Sequence, residues 1–503
     1  MKNKVCLFLF MSIAGVAFIP FVNCFWGEKN YDDKDFFTTA HLFNVDKVLS
    51  VVNLALYKMG VSTDPGKVVI GRNGWLYLGD NYANTITVSR VGATVQTVSD
   101  TAEIVKMTCG WDAWLKKNGV MVFKVLIGPN KDTIYSENLP HWALPAKKSA
   151  IDGLFLNNST YVDVREELQF ISKARKPAVY YKTDTHWNVY GAGVAFEKLM
   201  QETKKEWPAL KTLDHNSYQV YSVSRRDGGD LSRFLKIDKI ISDDEYHINV
   251  QNTSLETKIY DYSTNNLIWS GNGSPLVDAA EKGKLIISSN ALNNKRVLWL
   301  SDSFGTAMQP FMSATFSKIL KFHRSYVVGS SQFSQLVNEW KPDFVFITSV
   351  ERDSSSVNFM ARPPYSVQVV DSMPTTLHQT KAISTNDLKK VGVSYKVNGV
   401  DPYIVYELNK PAFIDEISGV NILLNCHEMK GEYVVPLQLF WMTDNMKVFD
   451  ERRSIRLNIA SSISKVDLSN QPDWKVKRKV NKIRLDIDAY NRCLSFDSDI
   501  SLF

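Results

Sequence analysis

Two short motifs in this 503-residue chain carry side chains able to act together on an acyl group. One is Asp184-Thr185-His186-Trp187-Asn188, the other Ser301-Asp302-Ser303-Phe304-Gly305. A serine hydroxyl is a weak nucleophile until an imidazole takes its proton, and a carboxylate holds that imidazole in one tautomer. Asp184 and His186 lie two apart, a spacing that turns both side chains to one side of an extended segment, although so tight a pair suits a bend better. Ser303, His186 and Asp184 are therefore the candidate catalytic set of nucleophile, base and orienter. The backbone N–H of Ser303 is one candidate oxyanion donor and Gly329 a second. Each motif also has a plainer reading. Ser/Asp/Gly turns are common, and an Asp-x-His pair also occurs where a carboxylate merely satisfies a histidine or forms half a metal site. A metal needs a third ligand; none is spaced nearby, and neither metal nor cofactor is expected.

The motifs need elements to bring them together. From Lys67 the pattern alternates between strand and helix. Val120–Ile127, apolar except for Lys124, reads as a strand buried on both faces, as in parallel sheets. Val179–Tyr181, Val297–Leu300, Tyr326–Val328 and Phe344–Val350 repeat the theme. Helices are expected over Val95–Lys117, closed by Gly119, and around Ala192, Ala195, Phe196, Leu199 and Met200, which share one helix face. Each motif then falls between a strand and the helix after it, where ligands bind in open α/β sheets and a helix N-terminus favours negative charge. The expectation is a doubly wound α/β domain over 67–365. After Arg362-Pro363-Pro364 the segments become short and alternating, and an all-β sandwich is expected over 370–503.

Composition and the N-terminus bound the setting. Hydrophobic residues make up 44% and charged residues 22%, an ordinary globular balance that excludes a disordered or coiled-coil chain. Lys and Arg number 59 against 53 Asp and Glu, a net +6 without a long basic run, so no nucleic-acid partner is expected. Lys2 and Lys4 precede an uncharged, mostly apolar stretch from Val5 to Trp26, long enough for a single span with a cytoplasmic start. The alternative is a cleaved signal peptide, for which Phe21-Val22-Asn23-Cys24 offers no small-x-small site. The expected order is an anchor at 1–26, a stalk at 27–66, the α/β domain and the sandwich. Of five cysteines, Cys109 is expected to be buried in a helix, and Cys426 and Cys493 are able to pair in an oxidising compartment.

Ser301-Asp302-Ser303-Phe304-Gly305 resembles the Gly-Asp-Ser block of SGNH hydrolases, with Ser301 in the glycine's place. Asp184-Thr185-His186-Trp187-Asn188 resembles the Asp-His pair of the AlgJ/AlgX-type alginate O-acetyltransferases, which likewise precedes the serine. Supporting stretches are Gly71–Leu78, Pro129–Pro140, Gly228–Leu235 and Lys341–Arg352. The resemblance implies an SGNH hydrolase-like fold and transfer of acetyl groups to polysaccharide hydroxyls through Ser303, His186 and Asp184. It also implies a polysaccharide acceptor, a multispanning membrane acyltransferase that delivers the acetyl group, and an inner-membrane anchor with the catalytic body in the periplasm. The C-terminal sandwich resembles jelly-roll carbohydrate-binding modules. Trp187, Arg324 and Trp441 are candidate substrate contacts, while Arg352 reads as a structural ion-pair residue. An O-acetylesterase of the same fold and a non-catalytic glycan-binding component of an export complex are the rival readings.

Overall fold

The computed structural model describes residues 2–26, 43, 45–156, 158–174, 177–213, 215–250, 254–371, 376–427, 434–460, 462–469, 471, 474, 478–487 and 493–503. A small antiparallel pair, β1 (Val68–Ile70) and β2 (Leu76–Leu78), encloses the turn at Arg72–Gly74. The main sheet begins with β3 (Val122–Gly128) and β4 (Tyr161–Asp163). A two-stranded arm follows, β5 (Tyr218–Asp227) and β6 (Ser242–Val250). The sheet then resumes with β7 (Glu256–Asp261), β8 (Leu267–Asn272), β9 (Lys284–Ser289), β10 (Asn293–Ser301), β11 (Phe316–His323) and β12 (Phe344–Val350). The eight strands lie in the order β4-β3-β12-β10-β11-β9-β7-β8. From β4 to β11 neighbours are parallel; β9, β7 and β8 add an antiparallel edge.

Alternation along the strands divides the core in two. Val297, Trp299, Phe344 and Phe346 pack with Ala192, Ala195, Phe196 and Leu199 of the helix Val189–Glu206. Leu298, Leu300, Val345 and Ile347 face the other way, against Ile104, Trp111 and Leu115 of the helix Val95–Lys117 and Phe333 and Val337 of the helix Gln332–Trp340. With both faces covered, the central strands are apolar along most of their length. The helix Val95–Lys117 starts in a reciprocal cap between Thr94 and Thr97, and the chain leaves it at Gly119 with φ of +88°.

Several expectations change. Tyr326–Val328 is no strand: the helical turn Arg324–Val327 covers most of it, and the strand is the preceding β11, whose lysines 318 and 321 obscure its pattern. Val179–Tyr181 contributes only an isolated bridge, Tyr180 to Trp187, because the Tyr135 hydroxyl takes the Val179 N–H. Cys109 is exposed, on the outer side of its helix. The second half of 27–66 contains a helix, Asp46–Lys58, whose Leu54 and Tyr57 pack against Val68, Leu76, Leu231 and Leu235. Residues 27–42 and 44 lie outside the described residues. Lys2–Trp26 is helical. Among the described residues no helix is long and apolar enough to cross a membrane, and within Lys2–Trp26 the side chains of 2–4, 7, 15, 18 and 22–26 are not described.

The C-terminal region is all β, but its strands form one curled sheet rather than two separate ones. The strands are β13 (Gln368–Val370), β14 (His378–Asn386), β15 (Leu388–Val391), β16 (Ser394–Val397), β17 (Tyr403–Phe413) and β18 (Gly419–Cys426). They continue with β19 (Val434–Thr443), β20 (Ser454–Ala460), β21 (Ser462–Asp467), β22 (Lys479–Ile487) and β23 (Ser495–Leu502). Nine of them lie in the order β13-β21-β18-β23-β14-β17-β22-β19-β20, with β15 paired to β16 and β16 to β23 off this path; the order is continuous because β14, bulged between Ala382 and Ser384, pairs with both β23 and β17. β20 and β21 follow each other in the chain yet stand near opposite ends of that order, so the sheet nearly closes around its apolar core. Cys426, closing β18, is bonded to Cys493, just before β23. The bridge spans 67 residues of sequence, for which loop-closure entropy gives about 4 kcal/mol. Replacing both cysteines with serine is expected to lower the unfolding free energy of the β region by up to that amount, read from the downward shift of its urea midpoint.

Candidate active site

The two motifs meet at the carboxyl end of the sheet. Asn188 caps the helix Val189–Glu206, its Oδ1 accepting from the Gly191 N–H at 3.0 Å, while its amide donates to the Ala178 carbonyl at 2.6 Å. This fixes where the Asp184–Asn188 segment ends. Ser303 stands exposed in a single 3₁₀ turn after β10. Asp302 shapes that turn: one carboxylate oxygen accepts from the Phe304 N–H at 2.9 Å and the other from the Val350 N–H, at the end of β12, at 2.7 Å. The Ser303 N–H has no partner among the described residues.

His186 Nε2 lies 2.8 Å from Ser303 Oγ, and His186 Nδ1 lies 2.6 Å from Asp184 Oδ1. A carboxylate accepts only, so Nδ1 carries the proton and Nε2 is left to accept from the serine hydroxyl. Next to the histidine, the Trp187 indole N–H donates to the carbonyl of Phe304, next to the serine, at 2.9 Å. The two rings meet edge to face at 4.8 Å. A β-carbon on Gly128, the last residue of β3, would come within 2.6 Å of Phe304 and 3.2 Å of Trp187, so only glycine leaves room for this contact.

The surroundings supply fixed charge. Asp230 accepts from the Thr185 N–H at 2.8 Å and from the Thr185 hydroxyl, and stands 3.8 Å from His186 Nδ1. Gly229 packs directly on Asp184, where a β-carbon would lie 2.3 Å from the aspartate's own. Arg226 reaches to 3.6 Å of Asp184 Oδ2. Behind the segment the buried Lys131 donates to the carbonyls of Tyr181, Lys182 and Asp184 at 3.2, 2.9 and 2.7 Å. Behind the serine turn the buried Lys321 donates to the carbonyls of Val277 and Gly305 and to Gln309 Oε1. Burial disfavours a charge on His186, but its bond to Asp184 and the charges of Asp184 and Asp230 outweigh that and raise its pKa above 6.5. Burial likewise opposes the Asp184 carboxylate; the His186 contacts prevail and hold it well below the usual range. Lys131, desolvated, is lowered to about 8 despite the acidic groups around it.

The structure therefore brings together Asp184, His186 and Ser303 and disposes of other candidates. Trp187 is 1% exposed and ties the two segments together instead of touching substrate. Trp441, also 1% exposed, packs edge-on against Trp474 and offers no face to a sugar. Arg324 is turned inward, paired with Asp353 at 3.1 Å and near Asp302 at 3.7 Å. Gly329 lends its carbonyl to Arg456 of the β region. Arg352 has no carboxylate partner among the described residues, contrary to its expected ion pair. The expected lack of a third metal-type ligand does not hold either: Asp230 joins Asp184 and His186 within 4.8 Å. Both its oxygens hold Thr185, and Nδ1 is taken by Asp184, so the group is organised as a hydrogen-bonded network. Sequence reasoning missed Asp230, Lys131 and Lys321; the Gly228-Gly229-Asp230 turn was the available signal for the first.

Residues 68–267 match the family model described as an SGNH hydrolase-like domain, acetyltransferase AlgX. That range includes Asp184, His186 and Asp230 and stops before Ser303. A curated Pseudomonas aeruginosa protein, named probable alginate O-acetylase AlgJ, is 26% identical over 182 residues. The match covers 36% of this chain and 43%, less than half, of that relative. Among solved structures, a DHHW family protein from Eubacterium siraeum aligns at TM-score 0.42 and 16% identity, covering 59% of this chain and 94% of its own. Pseudomonas aeruginosa AlgX aligns at TM-score 0.39 and 12% identity, covering 87% and 94%. The chain is thus similar to an alginate O-acetyltransferase-like family.

Only neutral His186 accepts a proton, so turnover of a chromogenic acetyl ester is expected to rise with pH through a midpoint above 6.5. Asp184→Asn removes the charge that raises this value, and the midpoint should move down while the rate falls. An unmoved midpoint in the folded variant would mean that Asp184 does not govern the titration.

Proposed function

We propose that the protein is a serine-dependent O-acetyltransferase that acetylates hydroxyls of a bacterial surface or secreted polysaccharide. The observation that carries this is the hydrogen-bonded chain Ser303–His186–Asp184, at 2.8 and 2.6 Å. His186 takes the Ser303 proton as Oγ attacks the acetyl carbonyl of the donor. The resulting oxyanion faces the Ser303 N–H, and His186⁺ returns the proton to the leaving group. Acetyl-Ser303 remains. A sugar hydroxyl then gives its proton to His186 and attacks the ester carbonyl, and the collapse of that intermediate returns the proton to Ser303 Oγ. Asp184 stabilises the imidazolium in both halves.

The setting follows from the N-terminus. Lys2 and Lys4 ahead of the uncharged stretch Val5–Trp26 support a single inner-membrane span with the body in the periplasm. A periplasmic transferase has no cytosolic acetyl donor within reach, so a multispanning membrane acyltransferase is the partner that hands the acetyl group across. The likeness to the AlgX and AlgJ acetyltransferases supports transfer over hydrolysis.

The test is acid-quenched intact mass spectrometry after mixing with a chromogenic acetyl ester. The wild-type chain should gain one acetyl group, mapped to Ser303, and lose it faster when an acceptor oligosaccharide is added. Ser303→Ala should gain none, and His186→Ala should acylate slower by about 10³-fold or more. Full turnover by a folded Ser303→Ala protein would end the covalent mechanism.

A further inference from the structure

The segment that carries Asp184 and His186 is gripped by residues 228–235. The Gly229 N–H donates to the Thr183 hydroxyl at 2.8 Å, the Ser232 N–H to the Thr183 carbonyl at 3.3 Å, and the Asp230 N–H to Asp184 Oδ2 at 3.4 Å. In return Asp230 accepts from the Thr185 N–H at 2.8 Å and stands 3.8 Å from His186 Nδ1. The short helix Asp230–Phe234 thus presents its first residue to the catalytic pair. Two later residues, Leu231 and Leu235, enter a separate small core with Val68, Ile70, Leu76 and Ile237. The same core is tied to the catalytic segment a second time, because the Leu76 N–H donates to the Lys182 carbonyl at 2.9 Å.

The helix Asp46–Lys58, from the region read in the sequence as a stalk, packs on this core through Leu54 and Tyr57. Asn53, beside Leu54, is buried and donates from Nδ2 to the Leu235 carbonyl at 2.7 Å, across 182 residues of sequence. Leu235 closes the helix Asp230–Phe234, and carbonyls at a helix end lack helical donors. No backbone N–H among the described residues reaches this one. An apolar side chain at 53 would cover the same surface. The amide adds direction: a buried donor with one acceptor fixes where the 230–235 segment sits.

We propose that the helix Asp46–Lys58 is a positioning element of the active site and Asn53 its positioning residue. Through the Leu235 carbonyl it holds the helix Asp230–Phe234, and with it Asp230, against the Asp184–His186 segment. The inference rests on Ser303, His186 and Asp184 being the reacting set. The test uses the full-length chain and reads two quantities in each variant: the single-turnover rate of Ser303 acetylation by a chromogenic acetyl ester, and the His186 titration midpoint by NMR. His186 faces the carboxylates of Asp184 and Asp230, which raise that midpoint, and Arg352, which lowers it. Asn53→Leu keeps the apolar cover and removes the donor. It should slow acetylation about tenfold and lower the midpoint, because Asp230 withdraws while Asp184 stays on the ring. Leu54→Ala loosens the same packing without stranding the carbonyl. It should move both readouts in the same direction, and it decides the matter where Asn53→Leu does not fold. Lys236→Ala breaks the exposed ion pair with Asp46 and should leave both at wild-type values. The proposal is overturned if the folded variant keeps the wild-type rate or the wild-type midpoint, since a merely structural asparagine lowers stability and leaves the midpoint alone. An equal effect from Lys236→Ala overturns it too. Absence of acetyl-Ser303 in the wild-type protein would instead remove the transferase reading, and the midpoint shift would still report the positioning.

Discussion

One hydrogen bond sets the distance on which the site depends: from the Trp187 indole N–H to the Phe304 carbonyl, at 2.9 Å. Its ends are 117 residues apart in sequence, and each is the immediate neighbour of a reacting residue, His186 or Ser303. Fixing Trp187 against Phe304 therefore fixes imidazole against hydroxyl. The bond is fully buried, where an unmet carbonyl or indole N–H costs about 1–3 kcal/mol, so the two segments cannot separate without that loss. The glycine at 128 makes the approach sterically possible, and the edge-to-face packing of the two rings excludes water from it.

Around this bond the protein spends buried charge on geometry. Lys131 and Lys321 sit beneath the two motif segments, each donating to three oxygens of those segments or their neighbours. Their desolvation is unfavourable, and the lowered pKa of both is the evidence of it. For Lys131 the sign is definite. A folded-state value near 8 lies below the ordinary 10.5, so the penalty is full below about pH 8 and fades as pH rises toward 10.5. Such residues set the carbonyls of Tyr181, Lys182, Asp184 and Gly305 in place, and through them the side chains that react.

What the sequence made legible follows a physical division. Runs buried on both faces, such as Val122–Gly128 and Phe344–Val350, announce themselves because nearly every position is apolar, Lys124 in the first finding Glu206 at 2.6 Å. The two motifs were readable because their residue types are rare in combination and lie at strand ends. β11 was misplaced because Lys321, buried entirely, breaks an apolar run for a reason that only tertiary structure reveals. The same holds for Asp230 and Arg226: their value to the site comes from the end of β5 and the turn after it lying against Asp184. Trp441 is a candidate ligand platform from sequence, beside the commoner reading of a core tryptophan, because an aromatic at a strand's end looks alike whether its face is covered or bare. Here Trp474 covers it.

The central claim is that the cross-segment bond, and not the mere presence of the three side chains, makes Ser303 reactive. The single-turnover rate of Ser303 acetylation in Trp187→Phe, set beside an NMR titration of His186, tests it most directly. The account predicts acetylation slowed about tenfold or more, with the His186 titration midpoint unchanged, because Asp184 still holds Nδ1 while the serine is displaced. Acetylation at the wild-type rate in a folded Trp187→Phe protein would contradict it.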